Sequence, residues 1–160
     1  MRLLNSVCKV LASAYEGVPV HIEQVPKNFS RGCFYVALTT GSTELLNINV
    51  YQDLPVFQII YFAERNEADQ VFAEKLYKVK DKLKELFILS TVVPVIPIEG
   101  KDEKPRYAKI ESYSDEIRIS EGAVYARLAL DFTEDIPKAP NEYELIEELD
   151  FVQETKIANG

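Results

Sequence analysis

Val56-Phe57-Gln58-Ile59-Ile60-Tyr61-Phe62-Ala63 (VFQIIYFA) decides the fold class, because it is apolar at nearly every position and bounded by polar sequence. A short run of this kind suits an interior strand covered on both faces, and it is the expected centre of a sheet. Directly after it the period changes. From Asn66 to Leu86 the spacing predicts a helix: Asn66 can cap, Asp69 stands three residues on as in a capping box, and Glu67 and Asp69 place negative charge in the first turn. Phe72, Leu76, Val79, Leu83 and Leu86 then recur every three or four residues. Lys75, Lys78, Lys80, Lys82 and Lys84 crowd the later turns, but Glu67, Asp69, Glu74, Asp81 and Glu85 balance them on the same helix. The lysine run therefore reads as a solvated face and not as a phosphate site.

Working back towards the N-terminus, Cys33 to Thr40 is rich in aromatic and β-branched residues and predicts a strand, with Gly41-Ser42-Thr43 as a polar connection after it. Leu45 to Tyr51 alternates weakly and suggests a further strand. Val18 to Val25 alternates as a strand does, and Pro26 to Gly32 reads as a turn. Leu3 to Tyr15 carries Leu3, Leu4, Val7, Cys8, Leu11 and Tyr15 on one helical face.

Working forward, Pro94 and Pro97 stop the helix and Glu99 to Pro105 is a charged loop. Tyr107 to Ile119 and Ala123 to Phe132 read as a hairpin turning through Ser120-Glu121-Gly122. In its second strand Val124, Ala126, Leu128, Leu130 and Phe132 alternate inward against Tyr125, Arg127 and Asp131. The expected class is α+β: a mixed, mainly antiparallel sheet of about five strands, with an N-terminal helix and one long central helix packed on it. Residues 1–137 are expected to form a single domain. Residues 138–160 form an acidic segment, docked or extended, whose Tyr143, Leu145, Ile146, Leu149, Phe151 and Val152 carry too much apolar surface for a purely solvating tail.

At 160 residues the chain has the length of one domain, and it buries about two-thirds of its unfolded surface without needing a disulfide or metal. Its 47% hydrophobic and 28% charged residues are those of a globular protein. The net charge of -8 argues against a general nucleic-acid binder. From Glu134 to Gly160 eight acids face Lys138 and Lys156, so most of that charge belongs to the C-terminal segment. Cys8 and Cys33 read as small buried hydrophobes. Asn5 and Lys9 interrupt the apolar run at the start, so a cytosolic product with its N-terminus retained is expected, and no segment reaches the length needed to cross a bilayer.

The chemistry-bearing patterns are few. His21 is the single histidine and lies in an alternating segment. Gly-rich phosphate loops, a nucleophile elbow, HExxH and an EF-hand loop do not occur. Asp115 and Glu116 would point to opposite faces of a strand, a poor geometry for paired acid–base work. No enzyme activity, cofactor or metal is expected.

Three stretches give the chain a family resemblance. In IEQVPKNFSRGCFYV, residues Ile22, Glu23, Val25, Phe29, Cys33, Phe34 and Val36 look like a block of the small prophage tail terminator proteins, the tail-completion proteins of long-tailed bacteriophages, with Gly32 where that family often has Pro. VFQIIYFAERNEADQVFAEKLYKVKDKL is similar to the family's apolar strand running into an acidic-start helix, with Gln58 for the usual Asp and Ala63 for the usual Pro. GAVYARLALDF followed by an acidic tail is the third. The resemblance, which extends to the lambda tail terminator in role, implies a structural assembly protein found at the tail–head junction of the virion, and in the host cytoplasm during assembly. Its subunits would form a hexameric ring that caps the tail tube, stops polymerisation and joins tail to head. The implied partners are further copies of itself, the tail tube protein and a head-side connector, with DNA passing through but not specifically bound. The polar loops offer Glu44, Asp53, Lys101, Asp102, Glu103 and Lys104 as contacts, and Phe151 and Val152 as docking residues of the tail. Another neck component, a connector or stopper, is the nearest alternative. A monomeric α+β ligand-binding module is the alternative from a different class.

Overall fold

A computed structural model describes residues 1–24, 27–100 and 102–136. Its elements in chain order are α1 (Arg2–Ala14), β1 (Val20–Ile22), β2 (Cys33–Asn47), β3 (Val50–Phe62), α2 (Ala73–Lys84), a π-helical turn (Glu85–Leu89), β4 (Val92–Val95), β5 (Arg106–Arg118) and β6 (Ala123–Asp135). Six strands form one sheet in the order β1-β2-β3-β6-β5-β4. The β1–β2 pair is parallel and every other pair antiparallel. The α+β class and the mixed, mainly antiparallel sheet agree with the sequence; among the described residues the strands number six and not about five.

VFQIIYFA, up to Phe62, lies in β3, which with β6 occupies the middle of the sheet. Both helices pack on one face. Phe57, Ile59 and Tyr61 of β3, Phe34 and Val36 of β2, and Val124 to Phe132 at alternate positions of β6 meet Leu4, Val7 and Leu11 of α1 and Leu76 and Leu83 of α2 in one core. The expected cover on both faces of this run is thus half met: Ile60 points away from the helices and is enclosed by its cross-strand neighbours Tyr35 and Tyr125, while Gln58 and Phe62 stay partly exposed.

Side-chain bonds fix the layers together. Ser6 Oγ donates to Arg2 O at 2.9 Å and accepts from Ile96 N at 3.0 Å, tying α1 to the chain leaving β4. Lys82 Nζ donates to Ala14 O at 2.5 Å, placing a cation of α2 at the carbonyl end of α1. Arg31 donates to the carbonyls of Ala63, Glu121 and Gly122, joining the end of β3 to the β5–β6 turn.

Four local expectations are corrected. The central helix starts at Ala73 and not at Asn66: Asn66 Oδ1 accepts from Ala68 N and Gln70 N, but Asp69 turns the chain at φ 57, so the cap closes a loop, and Phe72 is left exposed. The first strand shrinks to Val20–Ile22, because Glu23 adopts φ 58 and leaves the sheet. Gly41-Ser42-Thr43 is not a connection but mid-strand, paired with Pro55, Leu54 and Asp53. Leu45 to Tyr51 is not a strand of its own but the end of one strand, a turn at Ile48 and Asn49, and the start of the next. Pro94 sits within β4, which is tolerated because β4 is an edge strand.

Candidate functional site

Beyond the helices, β2 and β3 continue as a long arm. From Leu38 to Asn47 every residue of β2 is exposed, yet the strand persists because β3 pairs with it along its whole length and the end of β6 pairs with β3. Extra residues in β2, between Leu38 and Thr40 and between Leu45 and Asn47, shift the register in the manner of bulges and twist the arm. At its tip Asn47 Oδ1 accepts from Asn49 N at 2.8 Å, and Ile136 N donates to Asn49 O at 2.7 Å. Leu45, Leu46 and Ile48 crown the tip, with Ile48 90% exposed. An apolar group at such a tip gains nothing from its own fold, which makes the tip a candidate contact surface.

The outer edge of the arm is open. β1 pairs only with Phe34 to Val36, and Glu23 then extends the cover by one step, its Oε1 accepting from Leu38 N at 3.0 Å. Past that point, among the described residues, no strand lies against β2. At the opposite edge β4 is four residues long, carries Pro94, a poor template for strand pairing, and covers only Arg106 to Lys109 of β5.

At the root of the arm a groove of about 500 Å3 is lined by Leu4, Leu38, Tyr51, Asp53, Phe57 and Glu134 among others. Arg2 closes one wall: its Nη1 donates to Glu134 Oε1 at 2.6 Å, Nη2 to Glu103 Oε2 at 2.5 Å and Nε to Ile96 O at 2.7 Å. Arg106 Nη1 lies 3.5 Å from the same Glu134 carboxylate and its guanidinium stacks over the Phe132 ring. Tyr51 donates to Glu134 Oε2 at 2.9 Å, and burial, followed by that bond, pushes its hydroxyl up to about 12. The Ile98 N–H, with Arg2 beside it, holds the Glu103 carboxyl below the usual range. Arginines occupy both carboxylates, so the cluster fastens α1, the charged loop and β6 together and leaves neither acid free for proton transfer.

A second groove, of about 620 Å3, runs between α1 and β4 and is closed by the π-helical turn. Val10, Leu86, Phe87, Val93, Val95 and Pro97 line it, and Lys9 is its only titratable lining side chain. Leu89, 73% exposed, follows Leu86 and Phe87 on that turn, and Thr91 next to it is held at φ 58, which is unusual for a β-branched residue.

Of the residues singled out from sequence, Glu44 is exposed on β2 opposite Gln52, and Asp53 on β3 accepts from Thr43 Oγ1 at 2.6 Å. These two share the arm. Asp102 and Lys104 are exposed in the loop before β5, and Glu103 between them turns inward to Arg2 and Ile98. Lys101, Phe151 and Val152 lie outside the described residues. Sequence reasoning missed Leu45, Leu46 and Ile48 as surface, although Ile48 between Asn47 and Asn49 is a signal: an apolar residue flanked by two turn formers. It also missed Arg2 and Glu134, whose 132-residue separation leaves no local pattern.

Among the described residues no helix is long and apolar enough to cross a membrane, and no group of three or more His, Cys, Asp or Glu side chains is placed to hold a metal ion. Comparison with known families places the chain: the model described as phage tail terminator protein matches residues 2–141. The chain belongs to the phage tail terminator family and is a structural protein of the phage tail. No curated protein matches it.

Proposed function

We propose that the chain assembles into a ring, expected to be a hexamer, that caps the tail tube, stops its polymerisation and offers its other face to the head-side connector. The observation that carries this reading is the arm: a paired, outward-reaching hairpin with an open edge and an apolar tip, built on a sheet whose far edge strand, β4, is short and carries Pro94. Two unlike edges favour contacts between different patches of neighbouring copies, the kind that close into rings. The protein then acts at the tail–head junction of the virion after assembling in the host cytoplasm. Its net charge of -8 suits a pore through which DNA slides without being held.

Absolute mass by light scattering, over a wide concentration range and with cognate tail tubes added, tests the reading alongside tube lengths seen by electron microscopy. A species of about six subunits, or its appearance on tube ends together with tubes of uniform length, is the expected result. A protein that remains monomeric with tubes present and leaves their growth unchanged would overturn it. Binding to the connector without binding to tubes would move the protein to another place in the neck.

A further inference from the structure

We propose that the tip of the β2–β3 arm of one copy seats in the groove between α1 and β4 of a second copy, with Glu44 meeting Lys9 at the rim. This rests on the ring reading and names its subunit contact. Leu45, Leu46 and Ile48 form an exposed apolar ridge, and Val10, Leu86, Phe87, Val93 and Val95 form an apolar socket on the same chain. At about 620 Å3 the socket is within the range that encloses several side chains. The arm is built on β2 and β3, whereas the socket borders β4 at the far end of the strand order, and Leu45, Leu46 and Ile48 stand exposed, so the tip does not fill its own socket. Continuous pairing with β3, backed by β6, keeps the arm from curling back onto its own socket. The exposed ridge is thus open to the socket of another copy, and a ridge-to-socket contact between unlike patches propagates around a ring.

Charge agrees with this pairing. Lys9 is exposed and, among the described residues, forms no ion pair; Glu44 is likewise exposed without one, immediately before Leu45. Opposite charges at the edge of an apolar contact fix its register and exclude the reversed arrangement. The exposed Leu89 and Ile88 beside the socket extend the surface that the arm would cover.

The test uses the full chain and four variants: Lys9→Glu, Glu44→Lys, the double exchange, and Ile48→Asp. Sedimentation with and without tail tubes measures assembly, and thermal melts establish that these surface variants remain folded. Each single charge reversal is expected to weaken assembly about fivefold, the double exchange to restore most of it, and Ile48→Asp to weaken it by about tenfold or more. If the wild type assembles and the single variants and Ile48→Asp assemble equally well, the contact is wrong while the ring reading stands. Weakened single variants that the double exchange fails to rescue would also overturn the pairing of Glu44 with Lys9. A wild type that never assembles, even on tubes, would sink both.

Discussion

The two halves of the β2–β3 ladder are made of the same strands and have opposite surroundings. In the half under the helices, Phe34, Val36, Phe57 and Ile59 are almost completely buried, and alternate residues serve a core. In the half beyond them, Leu45, Leu46 and Ile48 stand in solvent, and the strands are held by main-chain pairing, side-chain bonds and the end of β6. The difference teaches that a ladder started by core packing can be extended past the core as a reaching element. Stability should then reside in one half and assembly in the other.

The sharpest test of that division is a core truncation. Leu128 on β6 is fully buried opposite Phe57 and Tyr113. Leu128→Ala is expected to destabilise the fold by about 2–5 kcal/mol, read from denaturant unfolding. A loss under about 1 kcal/mol would mean that the core is loosely packed and that the contrast between the halves is weaker than drawn.

Raising the pH attacks the helix-covered half and the root of the arm together. Burial raises the hydroxyl of Tyr51 to about 12, and it raises those of Tyr15 and Tyr113 further still. An unfolded tyrosine titrates near pH 10, so the folded chain favours the protonated form of each. Their contribution is complete below about pH 10 and is lost as the pH rises through the folded values. Unfolding free energy should fall steeply between about pH 10 and 12, and Tyr51→Phe should make that fall shallower. A profile that stays flat to pH 12 would contradict the burial of these rings.

Gly122 is a smaller and more local lever. It has φ 62, and a Cβ there would overlap Val71 Cγ2 and approach Arg31 Nη2 at 3.0 Å, beside the carbonyls that Arg31 holds. Gly122→Ala should cost more than about 1 kcal/mol and lower the melting temperature. Because the turn lies at the opposite end of β6 from the arm, assembly of the remaining folded protein should be unaffected.

These expectations also show which parts of the fold were legible. The β5–β6 hairpin and α1 could be read because burial on one face writes a period into the sequence, as it does from Val124 to Phe132, and VFQIIYFA because an unbroken apolar run between polar stretches needs a sheet interior. The arm could not. With solvent around both faces of Thr40 to Asn47, no alternation is required, so Gly41-Ser42-Thr43 looks like a loop although it is paired throughout. Asn66 misled for a related reason: its carboxamide makes cap-like bonds, but the following residues close a loop before the helix begins at Ala73. Glu44 and Asp53 stand out in the sequence by the polarity of that stretch, whereas the Arg2–Glu134 clasp and the α1–β4 groove depend on segments far apart in the chain.

The smallest expected effect on stability is the one that separates the halves most cleanly. Leu45→Ser and Ile48→Ser remove apolar surface that water already reaches, so each should change unfolding free energy by no more than about 0.5 kcal/mol. The β-turn bonds around Asn49 use main-chain and Asn47 atoms and remain available in both variants. Should either variant lower stability by several times that amount, the tip would be packed against its own chain and the arm would belong to the core. With stability retained, the same variants isolate the tip's contribution to assembly, because a drop in subunit association could not then be attributed to unfolding.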